Sequence, residues 1–242
     1  MKKYLQKCKL ACLIITTFFI SLPVAFGDYL PDEAYAKLWE VHERIQLIYG
    51  DPKAELPEQL LAVNFLPANA KVLELGGDVG RNSCVIASLL EDSSNMVVVE
   101  PRLEAVAGLK ANRNHNHFKF HIEPSAISEV PLVQKGWNTK PSDVNLPGYS
   151  RVRTITFRQL LSKYKIDFDT LVVDCEGALY YILKDDVSIL KNIQLILIEN
   201  DFSCYEHAKF VFDTFEAQGF KVVHNEGDSF WRGHAFYQVW SR

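Results

Sequence analysis

The stretch VLELGGDVG, Val72–Gly80, runs from an apolar segment through Glu74 into glycines at positions 76, 77 and 80. An apolar run stopped by such a turn, with a helical pattern just after it, describes a strand whose end brings backbone close to a nucleotide-sized ligand. The turn predicts an α/β protein with a binding site at the carboxyl end of this strand.

Working outward, strand and helix patterns alternate. The spacing predicts a helix over 82–90, a turn at Asp92-Ser93-Ser94-Asn95, a strand over 96–100, a helix over 103–111 and a strand over 118–122. Such alternation means a parallel sheet with helices on its faces. Residues 129–153, with Pro131, Gly136, Pro141, Pro147 and Gly148 among polar residues, are expected as a long loop over the site. A helix over 157–164, a strand over 170–174, a helix over 178–190, a strand over 194–199 and a helix over 207–218 follow. Strands at 220–223 and 235–240, joined by the turn-rich HNEGDSFWRGH, suit an antiparallel hairpin at the sheet edge. Upstream, Ala34, Leu38, Val41, Ile45 and Ile48 repeat at helical spacing until Gly50-Asp51-Pro52, and a short helix over 58–63 leads to Pro67. The expectation is a Rossmann-like α/β domain over 67–242 with a seven-stranded, mostly parallel sheet and an antiparallel edge hairpin, preceded by a helical extension over 28–66.

At 242 residues and 48% hydrophobic, the chain can bury one full core. A net charge of -4 without a basic stripe argues against nucleic-acid binding. Lys2, Lys3, Lys7 and Lys9 precede an apolar run over 10–26, and Ala25 and Gly27 occupy the -3 and -1 positions of a cleavage site before Asp28. Residues 1–27 therefore read as a secretory signal peptide. An uncleaved anchor is the rival, opposed by Pro23 and by a run of 17 residues, at the low edge of spanning length. The leader implies an extracytoplasmic protein if used, and a cytoplasmic or membrane-anchored one if unused or uncleaved; membrane contact is expected through it alone. Its loss would change 26 basic and 30 acidic residues to 22 and 30, a net of -8. Cys84, Cys175 and Cys204, odd in number and set in apolar patterns, resemble buried small hydrophobes of a reducing compartment more than a disulfide framework. The sequence sets no oligomeric state.

A dinucleotide fingerprint places glycines first, third and sixth. Counted from Gly76, the third and sixth positions hold Asp78 and Arg81, so the match fails. Glu74 and Asp78 at the strand end are awkward for a pyrophosphate and suit a cation. Glu100, ending the second strand, can accept hydrogen bonds from two ribose hydroxyls. Together these residues ask for a cationic nucleoside without phosphate, a description met by S-adenosylmethionine. His115, His117 and His121 invite a metal, but the first two fall in an Asn-rich turn, and no metal site is expected. Tyr180 and Tyr181 read as packing; Trp231, Arg232 and His234 read as a hairpin tip that could line an acceptor pocket.

The turn ELGGDVG resembles the D-x-G-A-N-x-G signature of FkbM-like S-adenosylmethionine-dependent methyltransferases, and TLVVDCEGALYYIL resembles that family's K-I-D-V-E-G-A-E segment. The likeness spans roughly residues 71–199. It implies a Rossmann-like methyltransferase fold in which Glu74, Gly76, Gly77, Asp78 and Gly80 form the cofactor turn and Glu100 holds the ribose. Ser125 and Ala126 would lie along the adenine, and Asp174 and Glu176 would face the reacting centre, either serving as base for a hydroxyl acceptor on a small polar or sugar-containing molecule. Gly77, Asp78 and Leu179 stand where the family has alanine, asparagine and a second acid. The alternatives are a catalytically silent secreted binding protein on the same fold, motivated by the leader and Leu179, and a dinucleotide oxidoreductase, disfavoured by the glycine spacing.

Overall fold

The structure is a computed structural model describing the backbone of residues 30–231 and 234–242 and their side chains except those of 228–231. Residues 1–27, expected from sequence to be a leader, and Arg232 lie outside the described residues. Asp32–Arg44 forms α1, with Pro31 preceding it, Asp32 and Glu33 in its first turn, and Ala34, Leu38 and Val41 on its buried face. The helix expected to reach Ile48 ends at Arg44. The backbone N–H groups of Ile48 and Tyr49 donate instead to the Asn112 side chain, so the segment runs extended across the next layer. Leu56–Phe65 forms α2, opened by Pro57.

Strand β1 is Val72–Leu75; all four side chains are buried, as a strand covered on both faces requires. It leads through the glycine turn into α3, Arg81–Leu89, and then β2, Met96–Val99, α4, Leu103–His115, and β3, His121–Glu123. After two short strands, β4 (Ala126–Ile127) and β5 (Leu132–Lys135), come β6, Asn138–Pro141, β7, Ser150–Val152, and β8, Thr154–Ile155. The regular alternation resumes with α5, Phe157–Tyr164, β9, Thr170–Val173, α6, Leu179–Asp185, β10, Leu195–Glu199, and α7, Tyr205–Ala217. The chain closes with β11, Lys221–Trp231, and β12, His234–Ser241.

Seven strands make the main sheet in the order β11-β12-β10-β9-β1-β2-β3. The pairs from β3 to β10 are parallel, while β12 runs antiparallel to both β10 and β11. The fold is therefore Rossmann-like α/β, with the expected antiparallel hairpin at one edge. The final strand inserts between β10 and β11. Successive strand residues serve opposite cores: Leu73, Val97, Leu171 and Ile196 pack with α5, α6 and α7, whereas Val72, Val98, Val172 and Leu197 pack with α1, α2 and α3. The N-terminal helices thus share the second core.

Two sequence expectations need correction. Residues 129–153 are not a structureless loop, because β5 pairs antiparallel with both β6 and β7 in a separate three-stranded sheet. Gly136, at φ +57°, makes the tight link from β5 to β6, and Pro141 sits on the edge strand, where its missing N–H costs no ladder bond. The segment HNEGDSFWRGH is largely strand: β11 continues to Trp231 beside β12 through three register shifts, whose bulges disguise the pattern. Smaller differences are that α4 runs to His115 and that the helix expected over 178–190 divides into α6 and a 3₁₀ turn at Val187–Leu190.

Candidate functional site

Strands β2 and β3 lie on one side of β1, and β9 and β10 on the other, so the chain's direction of travel across the sheet reverses between β1 and β9. Open α/β sheets bind ligands at the carboxyl ends of strands at such a switch point. Here Gly76 follows β1 and Asp174 follows β9. The Gly76 N–H donates to Val99 O at 3.0 Å, and the Asp174 N–H to Leu75 O at 2.9 Å, pinning both strand ends together. A Cβ on Gly76, whose φ is +88°, would stand 1.5 Å from the Asp174 carbonyl oxygen. No side chain fits there. Gly77 is excluded from change by packing: its Cβ would meet Val98 Cγ1 at 2.2 Å.

A cavity of about 380 Å³ extends along these strand ends, within the range of small-ligand sites. One end is lined by Gly76, Asp78, Glu100, Pro101, Ala126 and Ile127, and the other by Glu58, Asp174, Glu176, Tyr181 and Glu199. The small sheet contributes the roof through Leu132, Gln134, Trp137 and Lys140. Of the residues singled out from sequence, Gly76, Asp78, Glu100, Ala126, Asp174 and Glu176 line the cavity. Glu74, Gly77, Gly80 and Ser125 lie behind that wall: Ser83 donates to the buried Glu74 carboxylate, Gly80 packs on Leu109, and the Ser125 hydroxyl donates to Glu123 at 2.7 Å.

Glu100 organises the first end. Its Oε2 accepts the Asp78 N–H at 2.9 Å and its Oε1 accepts the Arg102 N–H at 2.7 Å. Asp78 sits at φ +38°, a conformation held by that bond and by ion pairs from its carboxylate to Arg81 and Arg102. Arg81 also pairs with Glu55, which accepts the Asn82 N–H at the start of α3. The Arg102 guanidinium stacks 3.5 Å from the centre of the Trp137 ring, joining the roof to the turn.

The second end is strongly acidic. Burial, then the charges of Glu55, Asp201, Glu58 and Glu176, push the Asp174 carboxyl up to about 8. Glu199 is raised by burial, by Asp174 and by its neighbour Glu58. Asp201 is pushed up to about 7 by burial, although it accepts the Gly177 N–H at 2.8 Å. Glu176 adopts φ +55° between these groups, a backbone conformation that costs free energy in a non-glycine residue and recurs at functional sites.

Sequence reasoning misses Glu58, Glu199, Arg102 and Trp137. Glu58 belongs to α2, ahead of the main domain, and nothing local marks it as facing β10. Tyr180 and Tyr181, both expected to be packing, divide: Tyr180 stacks on His207 at 3.7 Å, whereas Tyr181 lines the cavity. His234 stacks on Phe212 at 4.0 Å and is not among the lining residues. His115 bonds Gln46 at 3.1 Å and His121 packs against Tyr164, so these histidines serve different elements. Leu179 is fully buried in the core of α6 and α7, which explains a leucine where an acid would be desolvated.

No protein-family model and no curated protein matches the chain. Solved structures similar to it include an O-methyltransferase from Bacillus cereus in complex with SAH, 12% identical, covering 87% of this chain and 90% of that one with a TM-score of 0.45. An O-methyltransferase from Streptomyces achromogenes in complex with SAM is 12% identical over 87% of this chain and 89% of that one, with a TM-score of 0.42. A ribosomal protein L11 methylase from Lactobacillus delbrueckii subsp. bulgaricus is 11% identical over 81% of each chain, with a TM-score of 0.49.

Proposed function

We propose that this protein is an S-adenosylmethionine-dependent methyltransferase, FkbM-like in its motifs, acting on a hydroxyl of a small polar or sugar-containing acceptor. The observation that carries this reading is Glu100: a buried acid at the end of β2, on the wall of a cavity whose far end is carboxylate-rich. Each Glu100 oxygen takes one backbone N–H and retains a lone pair for a ribose hydroxyl. Glu55, Asp78 and Glu100 around the turn oppose a pyrophosphate, and Arg81 and Arg102 are already paired with them. These residues fit a cationic nucleoside better than a dinucleotide.

When bound, the cofactor supplies a methyl group on a sulfonium, transferable by in-line displacement. Ala126 and Ile127 would flank the adenine, with Ser125 behind them; Glu74 would support the turn from beneath. Asp174 and Glu176 would face the acceptor and take its hydroxyl proton, while the roof excludes water and holds the reacting atoms near contact distance. Residues 1–27 we read as a secretory leader, with the acceptor then met outside the cytoplasm.

Calorimetric titration of the purified protein with S-adenosylmethionine and with NAD tests this reading. Binding of the former alone is expected, and Glu100→Ala should weaken it roughly 10- to 100-fold through loss of hydrogen bonds to a charged acceptor. Equal affinity in the Glu100→Ala protein, or preference for NAD, would overturn it.

A further inference from the structure

The roof of the cavity is attached to the body at its two ends and at little else. Residues 129–153 leave and rejoin the body at one place, where β4 runs parallel to β8: the Ala126 N–H donates to Arg153 O at 2.8 Å and the Ser128 N–H to Ile155 O at 3.1 Å. Between those points β5, β6 and β7 pair with one another and with no strand of the main sheet. Leu132 and Val133 are buried, yet they join neither of the two cores. Among the described residues, no ion pair ties 129–153 to the rest of the molecule. At the base, the Asp185 carboxylate accepts long hydrogen bonds from the Ser128 hydroxyl and the Glu129 N–H, at 3.4 and 3.3 Å. The far end is held by Trp137, just past the turn from β5 to β6, whose ring centre lies 3.5 Å from the Arg102 guanidinium.

We propose that the sheet of β5, β6 and β7 is a lid, hinged at the β4–β8 pair and clasped by Trp137 on Arg102, and that the cavity fills and empties when this clasp lets go. Small-ligand cavities enclose about 70–90% of their ligand's surface, so a ligand held between floor and roof needs the roof to move before it can pass. A sheet outside both cores, with few links to the body, opens at a small fraction of the cost of global unfolding. Arg102 is the positioning residue of the device. Its guanidinium holds the tip of the lid and pairs with Asp78, while its backbone N–H donates to Glu100, so the clasp and the floor of the cavity share one residue. Gln134 and Thr139, opposite one another in the β5–β6 register, line the cavity from the lid. Among the described residues neither side chain has a hydrogen-bond partner, which leaves an amide and a hydroxyl for the molecule on which the lid closes. The lid stands without the methyl-transfer reading; only its occupant, S-adenosylmethionine, rests on that reading.

Hydrogen exchange read by mass spectrometry on the full chain, with no ligand present, compares the amides of residues 132–152 with those of β1 and β9. Trp137→Ala and Arg102→Lys, checked for folding by circular dichroism, should each speed exchange across 132–152 by about two- to fivefold, the worth of one exposed cation–π contact, and leave β1 and β9 unchanged. Trp137→Phe, which keeps a ring for the guanidinium, should restore most of the native rate. Unchanged exchange in both variants, or acceleration that reaches β1 and β9 equally, overturns the lid. Stopped-flow mixing with S-adenosylmethionine gives the second readout. Trp137→Ala should raise the association and dissociation rates together, by about the same two- to fivefold, a shift that a merely structural role would not produce. Association that is unchanged or slower overturns the lid as the route of entry. Faster exchange of 132–152 in Trp137→Ala, with no binding of S-adenosylmethionine by the native protein, upholds the lid and sinks the methyltransferase reading.

Discussion

Asn112 illustrates how a single fully buried side chain can hold a binding turn in place. Its Oδ1 accepts the N–H groups of Ile48 and Tyr49 at 2.6 and 3.0 Å, and its Nδ2 donates to Tyr49 O and Val79 O, both at 2.8 Å. One amide near the C-terminal end of α4 therefore joins the segment after α1 to the glycine turn. Asn112→Ala would orphan backbone groups in two places, the 48–49 segment and Val79, all of them satisfied here by one fully buried amide. The expected loss is about 2–4 kcal/mol in urea unfolding, and Asn112→Leu, which restores volume without hydrogen bonds, should do no better. A loss below about 0.5 kcal/mol would show that solvent replaces these bonds. The effect should extend to the site, since Val79 lies between Asp78 and Gly80.

At the scale of elements, α5 is tied to β3 by a buried acid. Glu123, only 3% exposed, accepts hydrogen bonds from Lys163 at 2.6 Å, Tyr164 at 3.0 Å and Ser125 at 2.7 Å. Burial raises its pKa, but these three donors together outweigh burial and hold the carboxyl below its ordinary value. Because the folded value lies below the unfolded one, the stabilisation is full above about pH 4.5 and is lost as pH falls through the folded value. Glu123→Gln should cost about 1–2 kcal/mol at pH 7, and the difference from the native protein should shrink below about pH 4 in denaturant titrations; a constant difference would refute the assignment. This helix was also the most legible element. The expected range 157–164 matches α5 residue for residue, and the structure shows a capping box of Thr156 and Gln159 at its start, a purely local device. The roof was illegible, since its short polar strands gain their order only by pairing with one another. The strand-end acids Glu100 and Asp174 could be found because they follow apolar runs directly. The Glu58–Asp174–Glu199 group could not, because it exists only where α2 packs against β10.

At the scale of the whole molecule, the predicted cleavage site can be set against Leu30, the first buried residue among those described. Cutting after Gly27 would leave Asp28 and Tyr29 ahead of Leu30, which is 5% exposed and packs with α1 and α2. Removal of residues 1–27 would leave in place every described residue of the core, while taking the net charge from -4 to -8. The mature acidic domain is expected to remain folded. Intact-mass measurement on protein recovered from the secretory fraction should give residues 28–242; the mass of all 242 residues would mean that the segment is retained as an anchor. The same sample carries a functional consequence, because S-adenosylmethionine is made in the cytosol and a secreted enzyme must meet it elsewhere. Mature protein that binds the cofactor and methylates an extracellular hydroxyl acceptor would be an enzyme supplied across the membrane. Mature protein that binds neither would be a methyltransferase-like fold put to use as a binding protein, with the acidic end of the cavity as its remaining recognition surface.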